Sequence, residues 1–358
     1  MPKLRKISLI HFKSFLNNSF SFTKDYIGIT GNNGKGKTNL LDAIYYSCFT
    51  KSYFTFKEKE NVFYEKEGFR IDTLWKKNSQ DWNATCRYDF NKKQMWINGK
   101  ELDKNIDYIG NFHAIMIAPD DINILNFGSD LRRKFIDGIL AQKDNDYLHN
   151  LISYQRVNAQ KNGYLKQNNY SVVQNELLDV YDTQLANHSK VIINKRMQFM
   201  DDFPKIVQYY YEKIANTEEK INIIYDCIES NIENLDSYYK KQRFSDLQLK
   251  RTTKGIHSED WIFLINEQPV KRFASQGQKK SFLLALKFAQ WKWLLQNGIS
   301  AILLLDDIFE KLDQERIKNL FSLLKKEAIP QVFFTHPNEE EIAKVMNSQK
   351  IDVQIINL

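Results

Sequence analysis

Cysteine is scarce in this sequence, and the three that occur, Cys48, Cys86 and Cys227, are far apart and odd in number. That pattern argues against a disulfide framework or a cysteine metal site and for reduced, buried thiols. Long apolar runs are missing as well, since no stretch approaches the roughly 18 residues of a membrane span. The opening "MPKLRKISLIHFKSF" is positively charged, but its apolar runs are too short for a signal peptide. The expected location is cytoplasmic, with no membrane partner. The chain also has no Pro/Gly linker, internal repeat or low-complexity tract.

What is present is ordinary soluble composition, 42% hydrophobic and 27% charged, in 358 residues. That length exceeds what one hydrophobic core usually serves, so two domains or one two-lobed domain are expected. A net charge of +7 mildly favours an anionic partner without reaching the footprint of a dedicated DNA-binding module. Near the N-terminus "LRKISLIHF", "SFSF", "FRIDTLW", "WNATCRYDF" and "KQMWING" alternate like short strands, several of them antiparallel. From Ser129 to about Ile214 apolar residues recur at three and four, which predicts helices. Short strands are expected again after about Asp246, then a helix over 275–296, a buried strand in "AILLLDD", a helix in "QERIKNLFSLLKK" and a buried strand in "QVFFTH". The order predicts an α/β core interrupted by a helical lobe. The boundaries expected are 1–120 with 297–358 for the core lobe and 121–296 for the helical one.

The chemistry starts at "YIGITGNNGKGKTNLLDAIYY". Gly31, Gly36, Lys37 and Thr38 complete G-x-x-x-x-G-K-[ST] between a strand-like run and an amphipathic helix, with Asn32, Asn33, Gly34 and Lys35 inside the loop and Asn39 just after it. Glycines let backbone N–H groups wrap a phosphate, and the helix N-terminus adds its dipole. Lys37 is placed to reach the β- and γ-phosphates and the Thr38 hydroxyl to sit on Mg²⁺. The expected ligands are a nucleoside triphosphate and Mg²⁺. The run "SAILLLDDIFEKLDQ" supplies carboxylates at the end of a buried strand, Asp306 for the metal and Asp307 to polarise the attacking water. The plainer alternative is a pair of acids capping the next helix.

"RFASQGQKKS" exposes Ser275, Gln276, Gly277 and Gln278 at the mouth of an apolar helix. Ser275 serves there as a helix cap, or the turn is a hand for a phosphate. Beside a P-loop and a carboxylate pair, the turn resembles the signature of ABC-type ATPases, in which one subunit's turn grips the γ-phosphate held by another's P-loop. More widely the chain resembles the RecF family of the ABC/SMC-like class. The likeness runs through "FKSF", "GNNGKGKTNLLDAIYY", "TKSYFTFKEKE", "WINGK", "IAPDDINIL", "GSDLRRKFID", "SYQR", "FASQGQKKSFLLALK" and "ILLLDDIFEKLD".

That resemblance implies a P-loop ABC-type ATPase head, a mixed sheet core with antiparallel strands, a mainly helical second lobe and no long coiled coil. About 270 residues between Lys37 and Asp306 are more than a transporter ATPase inserts and fewer than SMC arms require. It makes Gly31 to Thr38 the Walker A loop, Asp306 and Asp307 the Walker B pair, Ser275 to Gln278 the signature, and Leu312 and Asp313 the D-loop. Pro119, Asp120 and Asp121 fall in the Q-loop region, without a glutamine. His336 stands where many ABC ATPases have a switch histidine, and beside Pro337 it reads equally as a strand-terminating cap.

The implied function is an ATP-dependent homodimer that clamps double-stranded and gapped DNA without regard to sequence, works with RecR and RecO to load RecA, and resets by slow, DNA-stimulated hydrolysis. The alternatives are an ATPase subunit of a transporter or nuclease complex, and a non-hydrolysing nucleotide-gated scaffold. Ser258 and Phe54 stand where the family often has arginine. Arg132, Arg133, Lys134, Arg156, Lys161, Lys240, Lys241, Arg243, Lys250, Arg251, Lys254, Lys279 and Lys280 form basic clusters that are either phosphate contacts or solvated helix faces.

Overall fold

A computed structural model describes residues 1–104, 107–167, 175–228, 232–307 and 314–358. It divides into two compact units, one of residues 1–121, 213–216 and 284–358, the other of 122–212 and 217–283. The strands in chain order are β1 (Lys3–Phe12), β2 (Phe15–Ser21), β3 (Tyr26–Thr30), β4 (Phe69–Lys77), β5 (Gln80–Asp89), β6 (Lys92–Ile97), β7 (Lys100–Glu101) and β8 (Ala114–Ile117), then β9 (Ile221–Asp226), β10 (Asp260–Ile265), β11 (Gln268–Pro269), β12 (Ile302–Leu305), β13 (Val332–Thr335) and β14 (Val353–Asn357). The longer helices are α1 (Lys37–Phe49), α2 (Ser129–Lys143), α3 (Asn145–Gln167), α4 (Asn175–Met200), α5 (Phe203–Ala215), α6 (Leu235–Leu249), α7 (Gln276–Gln296), α8 (Gln314–Lys326) and α9 (Glu339–Ser348).

In the first unit parallel and antiparallel strands are sorted into separate sheets. The antiparallel sheet runs β2-β1-β4-β5-β6-β7, and the parallel sheet runs β14-β3-β13-β12-β8. Sequence alternation fixes the first: Phe69, Ile71 and Thr73 of β4 lie opposite Tyr88, Cys86 and Ala84 of β5, and all six are buried on one face. The parallel strands β8, β12 and β13 are buried along their whole length, as their continuous apolar runs require. Gln331 ties the two sheets together, its side chain accepting from Leu4 N at 2.7 Å and donating to Leu4 O at 2.9 Å. Cys48 and Cys86 are free thiols buried in this core, and Cys227 is half-buried, its thiol donating to Glu259 Oε1 at 3.6 Å.

The second unit holds the helices α2, α3, α4 and α6 with an antiparallel sheet β11-β10-β9. Its interior is braced by charge. Lys161 Nζ lies 2.8 Å from Asp182 and 2.7 Å from Asp246, all three shut off from solvent. Arg196 pairs with Asp137 at 2.6 Å and Glu259 at 2.5 Å, and its guanidinium stacks over Trp261. The helical stretch predicted up to Ile214 is here as α2 to α5. Strands return earlier than the expected position near Asp246, and they are then interrupted by α6, which buries Leu235 and Tyr239 four residues apart and runs on to Leu249 before β10 begins at Asp260. Strand β9 comes before that helix.

Candidate nucleotide site

Strand β3 ends at Thr30 and α1 begins at Lys37, so the six residues between form the predicted loop. Gly36 adopts φ 99°, where a side chain is strained, and a Cβ there would lie 2.6 Å from Ser14 Oγ. The first turn of α1 has neither an acidic residue nor a side-chain cap, so its N–H groups and dipole remain for an anion. Lys37 is buried, its ammonium held by Gly31 O at 2.7 Å and Asn32 O at 3.2 Å, with Asn33 Oδ1 at 3.4 Å. Lys35 N donates to Asn32 O at 3.3 Å, and Gly34 is open to solvent. Asn39 Nδ2 donates to Ser14 Oγ at 2.9 Å, which fastens the first turn of α1 to the start of β2.

Parallel pairing brings the carboxylates to this loop. β13 lies between β3 and β12, so the carboxyl ends of all three strands meet. Thr38 Oγ1 donates to the Asp306 carboxylate, 3.0 Å from each oxygen. Thr335 Oγ1 lies 3.0 Å from Asp306 Oδ1 and 3.3 Å from Asp307 Oδ1, and accepts from Asp307 N at 2.8 Å. Burial and the adjoining Asp307 charge push the Asp306 carboxyl up to about 6. The donor set suits Mg²⁺: a hydroxyl and a carboxylate are hard oxygen ligands, and that ion keeps most of its shell for water and phosphate. Among the described residues no cluster of three or more acidic, histidine or cysteine side chains offers an all-protein cage.

The signature turn is a helix cap in geometry. Ser275 Oγ accepts from Gln278 N at 3.2 Å while Gln278 Oε1 accepts from Ser275 N at 2.7 Å, a reciprocal capping box on α7. Gln278 Nε2 also donates to Glu219 at 2.6 Å. Ser275 and Gln276 are exposed, Gly277 partly so, and the first turn of α7 carries no acid. His336 is buried, its Nδ1 accepting from Asn338 N at 3.0 Å and its Nε2 3.2 Å from Glu341, so the ring serves the turn into α9. Leu312 and Asp313 lie outside the described residues.

Several residues that pattern reading passed over gather nearby. Thr335 is one; within "QVFFTH" a single threonine reads only as a strand former. Asp121, expected merely to mark the Q-loop region, is buried, accepts from Ala118 N at 2.8 Å and pairs with Lys287 at 3.0 Å. Tyr53 donates to the same carboxylate, and Lys287 donates to Tyr53 Oη at 3.0 Å. No spacing rule announces that trio. The basic clusters also need correction. Arg132 is engaged with Asp260 through two hydrogen bonds of 2.7 and 2.8 Å, Lys161 is sealed between two carboxylates, and Arg243 is bound to Asp179 and Asp182. These three are framework rather than DNA contacts. Lys240, Lys241, Lys250, Arg251 and Lys254 stay exposed along and just beyond α6.

Known proteins align with this chain over nearly its full length. The family described as "RecF/RecN/SMC N terminal domain" matches residues 3–355. A DNA replication and repair protein RecF of Flavobacterium johnsoniae is 37% identical, over 99% of both chains, and that of Cytophaga hutchinsonii is 35% identical, over 99% of this chain and 95% of its own. The solved structure of the recombination mediator protein RecF with ATP in the RecFOR pathway superposes with TM-score 0.87 at 28% identity, covering 95% of this chain and 93% of that one. The Smc head domain of Pyrococcus furiosus, with TM-score 0.58 at 16% identity over 100% of this chain and 93% of its own, shares the fold.

Proposed function

This chain belongs to the RecF family of DNA replication and repair proteins, and from that premise we propose that it is an ATP-driven DNA clamp. ATP binds with its phosphates in the loop from Gly31 to Thr38, where free N–H groups, the α1 dipole and the Lys37 ammonium supply positive potential. Lys37 reaches the phosphates by exchanging the Gly31 and Asn32 carbonyls for phosphate oxygens. Thr38 and Asp306 hold Mg²⁺, which supplies neutralising charge to the phosphates when bound. Asp307 orients and polarises the attacking water. The observation that carries the reading is the meeting of Lys37, Thr38, Asp306 and Asp307 at the carboxyl ends of β3 and β12, parallel strands on either side of β13.

The capped, exposed turn of Ser275 to Gln278 then completes the site of a second copy. The Ser275 hydroxyl accepts from Gln278 N and keeps its proton for an oxygen of that copy's γ-phosphate. ATP touches both protomers only in the closed dimer, so it stabilises that state, and slow hydrolysis reopens it. The clamp holds double-stranded and gapped DNA through phosphates, with the exposed lysines of α6 among the contacts, which makes DNA a stimulator of a weak ATPase. RecR and RecO are its partners in loading RecA, and its site of action is the cytoplasm. Among the described residues no helix is long and apolar enough to cross a membrane.

The test is the light-scattering mass of Asp307→Asn with ATP and Mg²⁺, with ADP, and with ATP plus Lys37→Met, repeated with gapped DNA. A mass that doubles only with ATP and an intact Lys37, and rises again with DNA, supports the clamp. A monomer throughout removes it.

A further inference from the structure

We infer that Thr335 is a positioning residue for hydrolysis, holding Asp307 in its water-polarising pose beside Asp306. Asp307 takes φ 47°, in the left-handed region that non-glycine residues seldom occupy. Its N–H would point at nothing useful in a strand that had simply ended. Instead it donates to Thr335 Oγ1 at 2.8 Å. The same oxygen, fully buried at the end of β13, stands 3.0 Å from Asp306 Oδ1 and 3.3 Å from Asp307 Oδ1. A hydroxyl has one proton, so it bonds one of these carboxylate oxygens at a time while accepting from the backbone of Asp307.

The arrangement fixes both the backbone and the side chain of Asp307. It does so from a strand paired directly to β3, since Thr335 lies beside Ile29 and His336 N donates to Ile29 O at 3.1 Å. The pose of the hydrolytic carboxylate is therefore tied to the strand that carries the phosphate loop. Thr335 makes no hydrogen bond to Lys37 or the loop glycines among those described, while its bond to Asp306 reaches the metal side of the site, so its loss acts on turnover and leaves the binding of metal-free ATP to the loop. The inference rests on the proposed role of Asp307.

The experiment uses the full chain as Thr335→Val, which keeps the shape and removes the hydroxyl, and as Thr335→Ser, which restores it. Steady-state phosphate release gives kcat and KM, fluorescent-ATP titration gives affinity, and light scattering gives the ATP-dependent mass. Thr335→Val is expected to lower kcat about tenfold or more, the loss of one hydrogen bond to a charged group, with the affinity for metal-free ATP within about twofold. Thr335→Ser returns kcat to near that of the unaltered chain. The inference falls if Thr335→Val turns over normally, if affinity falls as far as kcat, or if Thr335→Ser is as slow as Thr335→Val. Should Thr335→Val not fold, Thr335→Ala carries the same expectations. Asp307→Asn separates the two readings: if it hydrolyses ATP normally, the role proposed for Asp307 fails, and if it is slow while Thr335→Val is normal, only Thr335 is misassigned.

Discussion

In the second unit Lys161 lies between Asp182 and Asp246 and Arg196 between Asp137 and Glu259, so these two buried cations each have two carboxylates. In the first unit the buried Lys287 is likewise compensated, by the one carboxylate of Asp121. At the ends of β12 and β13, by contrast, Asp306 is hydrogen-bonded by two hydroxyls and crowded by Asp307. Among the described residues Asp306 has no ion-pair partner, and the Lys37 charge offsets its burial only in part; proteins tolerate such a carboxylate where a ligand supplies the missing charge. Compensated charge marks the frame of this molecule. Uncompensated charge marks the place where it works.

The largest effect should come from breaking the frame. Lys161→Met leaves two buried carboxylates facing each other, and urea unfolding should register a loss of about 3–5 kcal/mol. Next is Lys37→Met, which removes the loop's cation. Fluorescent-ATP titration should show affinity down about a hundredfold, equal to about 2.7 kcal/mol, with the melting temperature little changed.

The third alteration reverses the sign seen in the frame. The folded Asp306 carboxyl ionises near 6 against an ordinary 3.8, so its protonated form favours folding. That contribution is complete below about pH 3.8 and is lost as pH rises through about 6. Asp306→Asn carries no such penalty. In metal-free buffer at pH 7 it should be more stable than the unaltered chain by about 1–3 kcal/mol, and denaturation at successive pH values should find the gap closing toward pH 4. A gap that stayed constant with pH would erase the contrast between frame and site.

Smallest is the effect of single exposed lysines. Lys240→Ala or Lys250→Ala should each lower the slope of log affinity for DNA against log salt by about 1, equally for unrelated sequences, whereas Arg132→Ala should act mainly through stability.

These contrasts also show which parts of the molecule could be read in advance. The phosphate loop was legible because its chemistry is local: glycines, a lysine and a threonine at fixed spacing between a strand and a helix. "AILLLDD" was legible because only a fully covered strand carries an unbroken apolar run to two acids. Arg132 and Lys161 misled because a charge on an amphipathic helix does not reveal its face, and their partners, Asp260 for Arg132 and Asp182 and Asp246 for Lys161, are distant in the chain. Strands β8, β9 and β14 carried no clear signal: "AIMI" is brief, and β9 and β14 bury little of their length. Thr335 escaped because its role arises only when β13 lies between β3 and β12.

That strand order has a consequence for how the protein is made. Strand β3 emerges early, yet its two neighbours in the parallel sheet, β13 and β14, lie about 300 residues further along the chain. At about 5–20 residues per second the ribosome keeps the phosphate loop without its sheet while those residues are made. The nascent chain thus has no working nucleotide pocket until β13 and β14 have emerged, and ATP can stabilise only a chain that has reached them.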